Sequence, residues 1–179
     1  TPLMRRHAKA VNFGIVYGIG AFSLSKDIGV SRAEADKYIK DYLHHYSGVD
    51  EYMKNIVEKA KADGYVSTLF GRRRYLPELS SSNGMLRSFG ERVARNMPIQ
   101  GTAADIIKIA MIKVYNRLKA ENLKARLLLQ VHDELNFSVY PEEFYHVKQI
   151  VIDEMDHAYE LSVPLLADCG EGSNWLEAH

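Results

Sequence analysis

The chain has 179 residues, is 46% hydrophobic and carries a formal net charge of +0, enough apolar content to bury a core in one or two domains. No run of about 18 uncharged apolar residues exists, so no transmembrane helix is expected, and the charged start TPLMRRHAKA leads into no apolar secretory signal. One cysteine, Cys169, excludes an internal disulfide and any cysteine-rich zinc site, and fits a reducing, cytoplasmic setting.

The zero balance conceals an asymmetry. Residues 1–126 hold 22 Lys and Arg against 12 Asp and Glu, whereas residues 127–179 hold 1 against 11. A basic body beside an acidic end is expected where one part meets phosphates and another holds cations or faces solvent. Two solvated acidic helices would produce the same pattern.

In chain order, a first helix is predicted over about 4–17, a short one over 21–28, and a third from the capping box Ser31-Arg32-Ala33-Glu34 to about Tyr46. A fourth covers about 49–62, with Gly64 as its stop. Residues 65–70 and 74–76 read as a small hairpin, and 77–83 as loop. Helical pattern resumes over 85–96, is broken by Pro98, and restarts over 103–121, with Thr102 and Asp105 suited to a helix start. ARLLLQV and ELNFSVY read as strands joined by a tight turn at His132-Asp133, followed by a helix over 142–161 and a final strand over 163–169. Helices first and an antiparallel sheet later give an α+β fold.

Arg5, Lys9, Phe13 and Tyr17 recur every four residues, forming one slowly drifting stripe about 18 Å long on the first helix. Cations at one end and rings at the other match a nucleoside triphosphate laid along the helix. Gly14 and Gly18 follow the rings directly, and helix glycines suggest close approach by something. An ordinary amphipathic helix with core rings and solvated cations stays open at this point. RRHAKAVNFGIVYG resembles motif B of family A DNA polymerases. That resemblance implies that Arg5 and Lys9 bind the triphosphate of an incoming dNTP. Phe13 would pack on its sugar and base, and Tyr17 would lie under the templating position.

His132-Asp133-Glu134 sits at the predicted hairpin tip, where a tight turn presents side chains rigidly. Magnesium prefers hard carboxylate oxygens and keeps substrate phosphates as further ligands. A turn that merely favours Asp is the plain alternative. LLLQVHDEL resembles motif C of the same family. The resemblance implies Asp133 as catalytic metal ligand, Glu134 as auxiliary carboxylate and His132 as a contact to the primer end, with Mg2+ as cofactor. Asn136 replaces the family's usual apolar residue.

Arg92, Asn96 and Gln100 are also spaced by four, and all can donate to minor-groove acceptors common to every base pair. A solvated polar face is the alternative. RSFGERVARNMPIQGTAAD resembles the family segment that touches primer–template DNA, and Arg72-Arg73-Arg74 adds a phosphate-seeking run. The resemblance implies helical fingers over 1–64 and a partial palm over 65–179, in a bacterial, nucleoid-associated and monomeric enzyme. The family's other metal-binding aspartate, in motif A, precedes motif B. Only Thr1 to Met4, without an acid or an initiator methionine origin, precede Arg5, so the chain reads as a trimmed piece that does not polymerise DNA alone and is prone to self-association. A metal phosphohydrolase using His132 and Asp133 would need further histidines nearby, but His44 and His45 belong to a separate helical hairpin.

Overall fold

The computed structural model describes residues 1–178, which divide after Gly101 into two compact units. The fold is α+β, with two two-stranded antiparallel sheets among seven α-helices of the described residues.

The first unit opens with α1, Pro2–Val16, whose N-terminus is capped by the Thr1 hydroxyl accepting from the Met4 N–H at 3.3 Å. α2 spans Ala21–Ile28, and α3, Arg32–His45, begins at the expected capping box: Glu34 N–H donates to Ser31 Oγ at 3.2 Å, and Ser31 N–H donates to Glu34 Oε2 at 3.0 Å. α4 spans Ser47–Asp63, and β1 (Tyr65–Ser67) pairs with β2 (Arg73–Tyr75). Two cores hold these elements. Leu24, Ile28 and Ala35 gather Ala10, Val11 and Ile19, while Val57, Ala60, Val66, Leu76, Leu79 and Ala94 form the other.

α5 runs unbroken from Gly84 to Ala120 with Pro98 inside it, where a break and a second start near Thr102 were expected. An interior proline forfeits one backbone hydrogen bond and costs about 3 kcal/mol. Packing on both sides outweighs that cost. Ala94, with Val93 and Met97, anchors the turns before Pro98, and buried Ile107, Ala110, Val114 and Leu118 anchor those after it.

In the second unit β3 (Arg126–Val131) pairs with β4 (Glu134–Ser138), with a bulge at Leu128 between the pairs Leu127–Phe137 and Leu129–Asn136. α6 spans Phe144–Asp156 and packs Val147 and Ile150 against Val114, Leu118, Phe137 and Val139. It is shorter than expected at both ends. Pro141–Glu143 form one 3-10 turn, and Glu143 reaches back to accept from the Lys124 and Ala125 N–H groups at 3.0 Å each. At the other end, the His157 carbonyl accepts from Lys113 Nζ at 2.6 Å. The final strand expected over 163–169 does not form. Its Ala167 N–H donates to the Asp156 carboxylate at 2.6 Å instead of to a neighbouring strand. A four-residue helix α7, Trp175–Ala178, was not predicted.

Candidate functional site

Two constellations lie in the two units. In the first, α1 buries Ile15 and turns Ala10 and Val11 toward the core, which leaves the stripe at 5, 9, 13 and 17 on the outer side. Arg5 and Lys9 are exposed, Phe13 retains 51% of its surface, and Tyr17 is half-buried. Lys9 Nζ lies 5.8 Å from the Phe13 ring centroid, and the Phe13 and Tyr17 centroids are 6.1 Å apart at 35°. Each step is a normal cation–π or aromatic spacing, so cation and rings form one contiguous strip. Among the described residues no ion pair engages Arg5 or Lys9, leaving both cations available to an anion.

The glycines beside the rings answer to the protein itself. A Cβ on Gly14 would come within 2.9 Å of Ile19 Cγ2. Gly18 has φ +75°, and its Cβ would sit 3.1 Å from Arg95 Nη1. Arg95, an ion-pair partner of Glu91 at 3.6 Å, was not singled out in the sequence; its only signal there is the four-residue spacing from Glu91.

Continuity of α5 through Pro98 keeps Arg92, Asn96 and Gln100 on one helix. Arg92 and Gln100 are exposed, whereas the Asn96 carboxamide oxygen is buried without a hydrogen-bond partner. Gln100 Nε2 donates to the Tyr17 hydroxyl at 3.3 Å, a link that no spacing rule foretells. On the small hairpin, Arg73 stacks over the Tyr65 ring at 4.6 Å.

In the second unit, His132 and Asp133 form the two-residue turn between β3 and β4, with His132 at φ +52°. Both are exposed, and Glu134, half-buried, pairs with Val131 as the first rung of the ladder. The His132 carbonyl accepts from Gln130 Nε2 at 2.6 Å, which pins the turn from within the strand. Asp133 and Glu134 flank an open cavity of about 1230 Å³ whose walls include Ile106, Phe137, Val147 and Met155. Two carboxylates offer the hard oxygen donors that magnesium takes, so the tip fits part of a magnesium ligand set. Among the described residues, no group of three or more His, Cys, Asp or Glu side chains converges as a complete metal cage.

A sequence model described as DNA polymerase family A matches residues 1–177. The chain is 54% identical over 178 residues to DNA polymerase I of Bacillus subtilis (strain 168), covering 99% of this chain and 20% of that protein. It is 52% identical over 177 residues to DNA polymerase I of Caldicellulosiruptor bescii, covering 99% of this chain and 21% of that one. Among solved structures, the POL domain of Pol1 from M. smegmatis, in complex with DNA primer-template and dNTP, matches with a TM-score of 0.96 at 47% identity. That match covers 99% of this chain and 31% of the other.

Proposed function

The chain belongs to DNA polymerase family A, and from that premise we propose that it supplies the dNTP grip and one side of the metal site of a DNA-directed DNA polymerase. The reaction joins the primer 3′ oxygen to the α-phosphorus of a dNTP and breaks the bond to the bridging oxygen, releasing pyrophosphate. The observation that carries this reading is the contiguous strip of Lys9, Phe13 and Tyr17, with Arg5 exposed one helical turn before Lys9. Arg5 can fork onto phosphate oxygens and Lys9 adds a point charge, so both hold the triphosphate and neutralise its charge. Phe13 orients the sugar and base, and Tyr17 lies beneath the templating position. Arg92, Asn96, Gln100 and His132 contact the primer–template duplex, His132 at the primer end. The M. smegmatis protein, solved with primer-template and dNTP, supports these partners for this chain.

Asp133 and Glu134 are the residues that would hold Mg2+, two ions in the complete site; when bound, the metal neutralises charge on the phosphate oxygens and activates the attacking oxygen. In this assignment residues 1–64 are fingers and 65–179 part of the palm, a functional division distinct from the packing boundary after Gly101. No described helix is long and apolar enough to cross a membrane, and we place the enzyme in the bacterial cytoplasm at the nucleoid, where template and dNTP meet. It acts as a monomer there. The isolated chain has a route to self-association through Leu128 and Leu129 on β3, which keep 60% and 50% of their surface.

The chain spans 20% of the length of its Bacillus subtilis relative, and the isolated 179-residue piece is expected to bind duplex without extending it. Titrating a labelled primer–template against the chain at rising salt tests the first half, since a phosphate-driven complex weakens steeply with salt. Affinity indifferent to salt counts against the duplex contacts, and magnesium-dependent extension by the isolated chain counts against the incomplete metal site. In the longer polymerase, Phe13→Tyr is expected to raise dideoxynucleotide use; no change would count against the sugar-packing role of Phe13.

A further inference from the structure

The ring end of α1 is held by the same helix that carries the candidate duplex contacts. The Tyr17 hydroxyl accepts from Gln100 Nε2 at 3.3 Å, across 83 positions of sequence. One residue further on, a Cβ at Gly18 would meet Arg95 Nη1 at 3.1 Å and Arg92 Cγ at 3.8 Å. Gln100 thus bonds Tyr17 while Arg92 lies beside the space a Gly18 side chain would fill, and both belong to the stripe assigned to the duplex. Gln100 is exposed and Tyr17 only half-buried, so a competing acceptor can reach the amide.

We propose that Gln100 is a positioning residue for Tyr17, its amide shared between the Tyr17 hydroxyl and an acceptor in the minor groove. This rests on the reading of Gln100 as a duplex contact. The NH2 group presents two N–H donors fixed in one plane, so turning it toward a groove acceptor that lies off the line of the second N–H carries the first away from the Tyr17 hydroxyl and loosens the hold on Tyr17. Both bonds are neutral hydrogen bonds of similar net worth, so exchanging them is nearly balanced and a bound duplex can tip it. Occupancy of the duplex site thereby sets the freedom of the templating ring, and by linkage the state of the ring sets duplex affinity. A base pair whose geometry withdraws the acceptor leaves Gln100 on Tyr17.

The test is a double-mutant cycle on the 179-residue chain, reading anisotropy of a fluorescein-labelled primer–template at low salt. Tyr17→Phe keeps the ring and removes the competing hydroxyl. It is expected to tighten duplex binding about threefold to tenfold, the factor for releasing one neutral hydrogen bond. The same substitution combined with Gln100→Ala should change affinity no further than Gln100→Ala alone. A bond serving only to brace the fold would act oppositely, because losing it weakens binding. Weaker binding by Tyr17→Phe, or an equal effect in both backgrounds, overturns the coupling while leaving Arg92 and Asn96 as duplex contacts. Absence of duplex binding by every protein overturns the duplex reading, and the coupling with it. Side-chain amide spectra of 15N-glutamine chain give an independent arm on the unmodified protein. The Gln100 amide should shift on adding duplex, and in duplex-free protein on Tyr17→Phe; an amide that stays put in both sinks the proposal.

Discussion

The strip on α1 and the acidic tip between β3 and β4 differ in what holds them. The strip is mostly local. Lys9, Phe13 and Tyr17 follow one another at 5.8 and 6.1 Å because helix geometry puts them there, Ala10, Val11 and Ile15 pack on the inner side, and a single remote bond, from Gln100 to the Tyr17 hydroxyl, reaches the ring end. The tip combines a local pin with a remote tie: Gln130, on the strand leading into the turn, holds the His132 carbonyl, and Glu143 ties the entry of β3 to the start of α6, with an open cavity of about 1230 Å³ beside the two carboxylates. A binding surface can be complete within one element, whereas a metal site needs donors from several.

The sharpest way to break that contrast is at Asp133. In the longer polymerase that contains this segment, Asp133→Asn is expected to lower the rate of nucleotide addition about 1000-fold, since metal charge stabilisation is worth several kcal/mol. Single-turnover extension at saturating magnesium measures it, and a rate within a few-fold of the parent would remove the tip from the chemistry. The strip predicts a smaller and different loss. Lys9→Ala should weaken dNTP binding about tenfold to a hundredfold, the range for a hydrogen bond to a charged group. Lys9 is exposed and outside the core, so the urea midpoint should not move. A shifted midpoint with unchanged dNTP affinity would make Lys9 a structural residue.

These differences also separate what sequence pattern dictates from what only tertiary packing decides. The stripe at 5, 9, 13 and 17 was legible because a four-residue period is a property of the helix alone, and the capping box at Ser31 and Glu34 forms as read. The two-residue turn at His132-Asp133 was legible from strand patterning on both sides. Pro98 misled because a local cost of about 3 kcal/mol was weighed without the cores that bracket it. The segment 163–169 misled because β-propensity says nothing of whether a partner strand lies alongside; here Asp156 takes the Ala167 N–H. The approach of Arg95 to Gly18 and the bond from Gln100 to Tyr17 were invisible, since each joins residues far apart in sequence.

Gly18 gives an intermediate test of how local the strip is. At φ +75° an alanine strains the backbone by about 1–2 kcal/mol, and its Cβ must also displace the Arg95 guanidinium. Gly18→Ala should therefore lower the urea midpoint of the chain, while Gly20→Ala, where a Cβ meets nothing within 4 Å, should leave it nearly unchanged. Equal effects at both positions would mean the Arg95 contact and the left-handed turn carry no weight.

The smallest expected effect separates the units by pH. Glu34 in the first unit and Glu121 in the second both have carboxyls held below their ordinary range, but for different reasons. Glu34 is lowered by the Ser31 hydroxyl and N–H of its own capping box, a contact confined to one helix end. Glu121 is lowered first by His146 and then by Arg117, and Arg117 also binds Asp153 at 2.6 Å and Glu154 at 3.1 Å, so this cluster ties α5 to α6. A depressed carboxyl contributes stability that is present above its unfolded value, near 4.5 here, and is lost as pH falls through the folded value. Acidification below that point should loosen both contacts, with unequal reach. Glu121→Gln should flatten the acid limb of the urea midpoint against pH, because it removes a tertiary tie. Glu34→Gln should leave that limb nearly intact and speed amide exchange only in the first turn of α3. Both carboxylates are exposed and screened by solvent, so the discriminating readout is where the loosening occurs. A global loss from Glu34→Gln would show that the first unit, too, is held by contacts its helices do not contain.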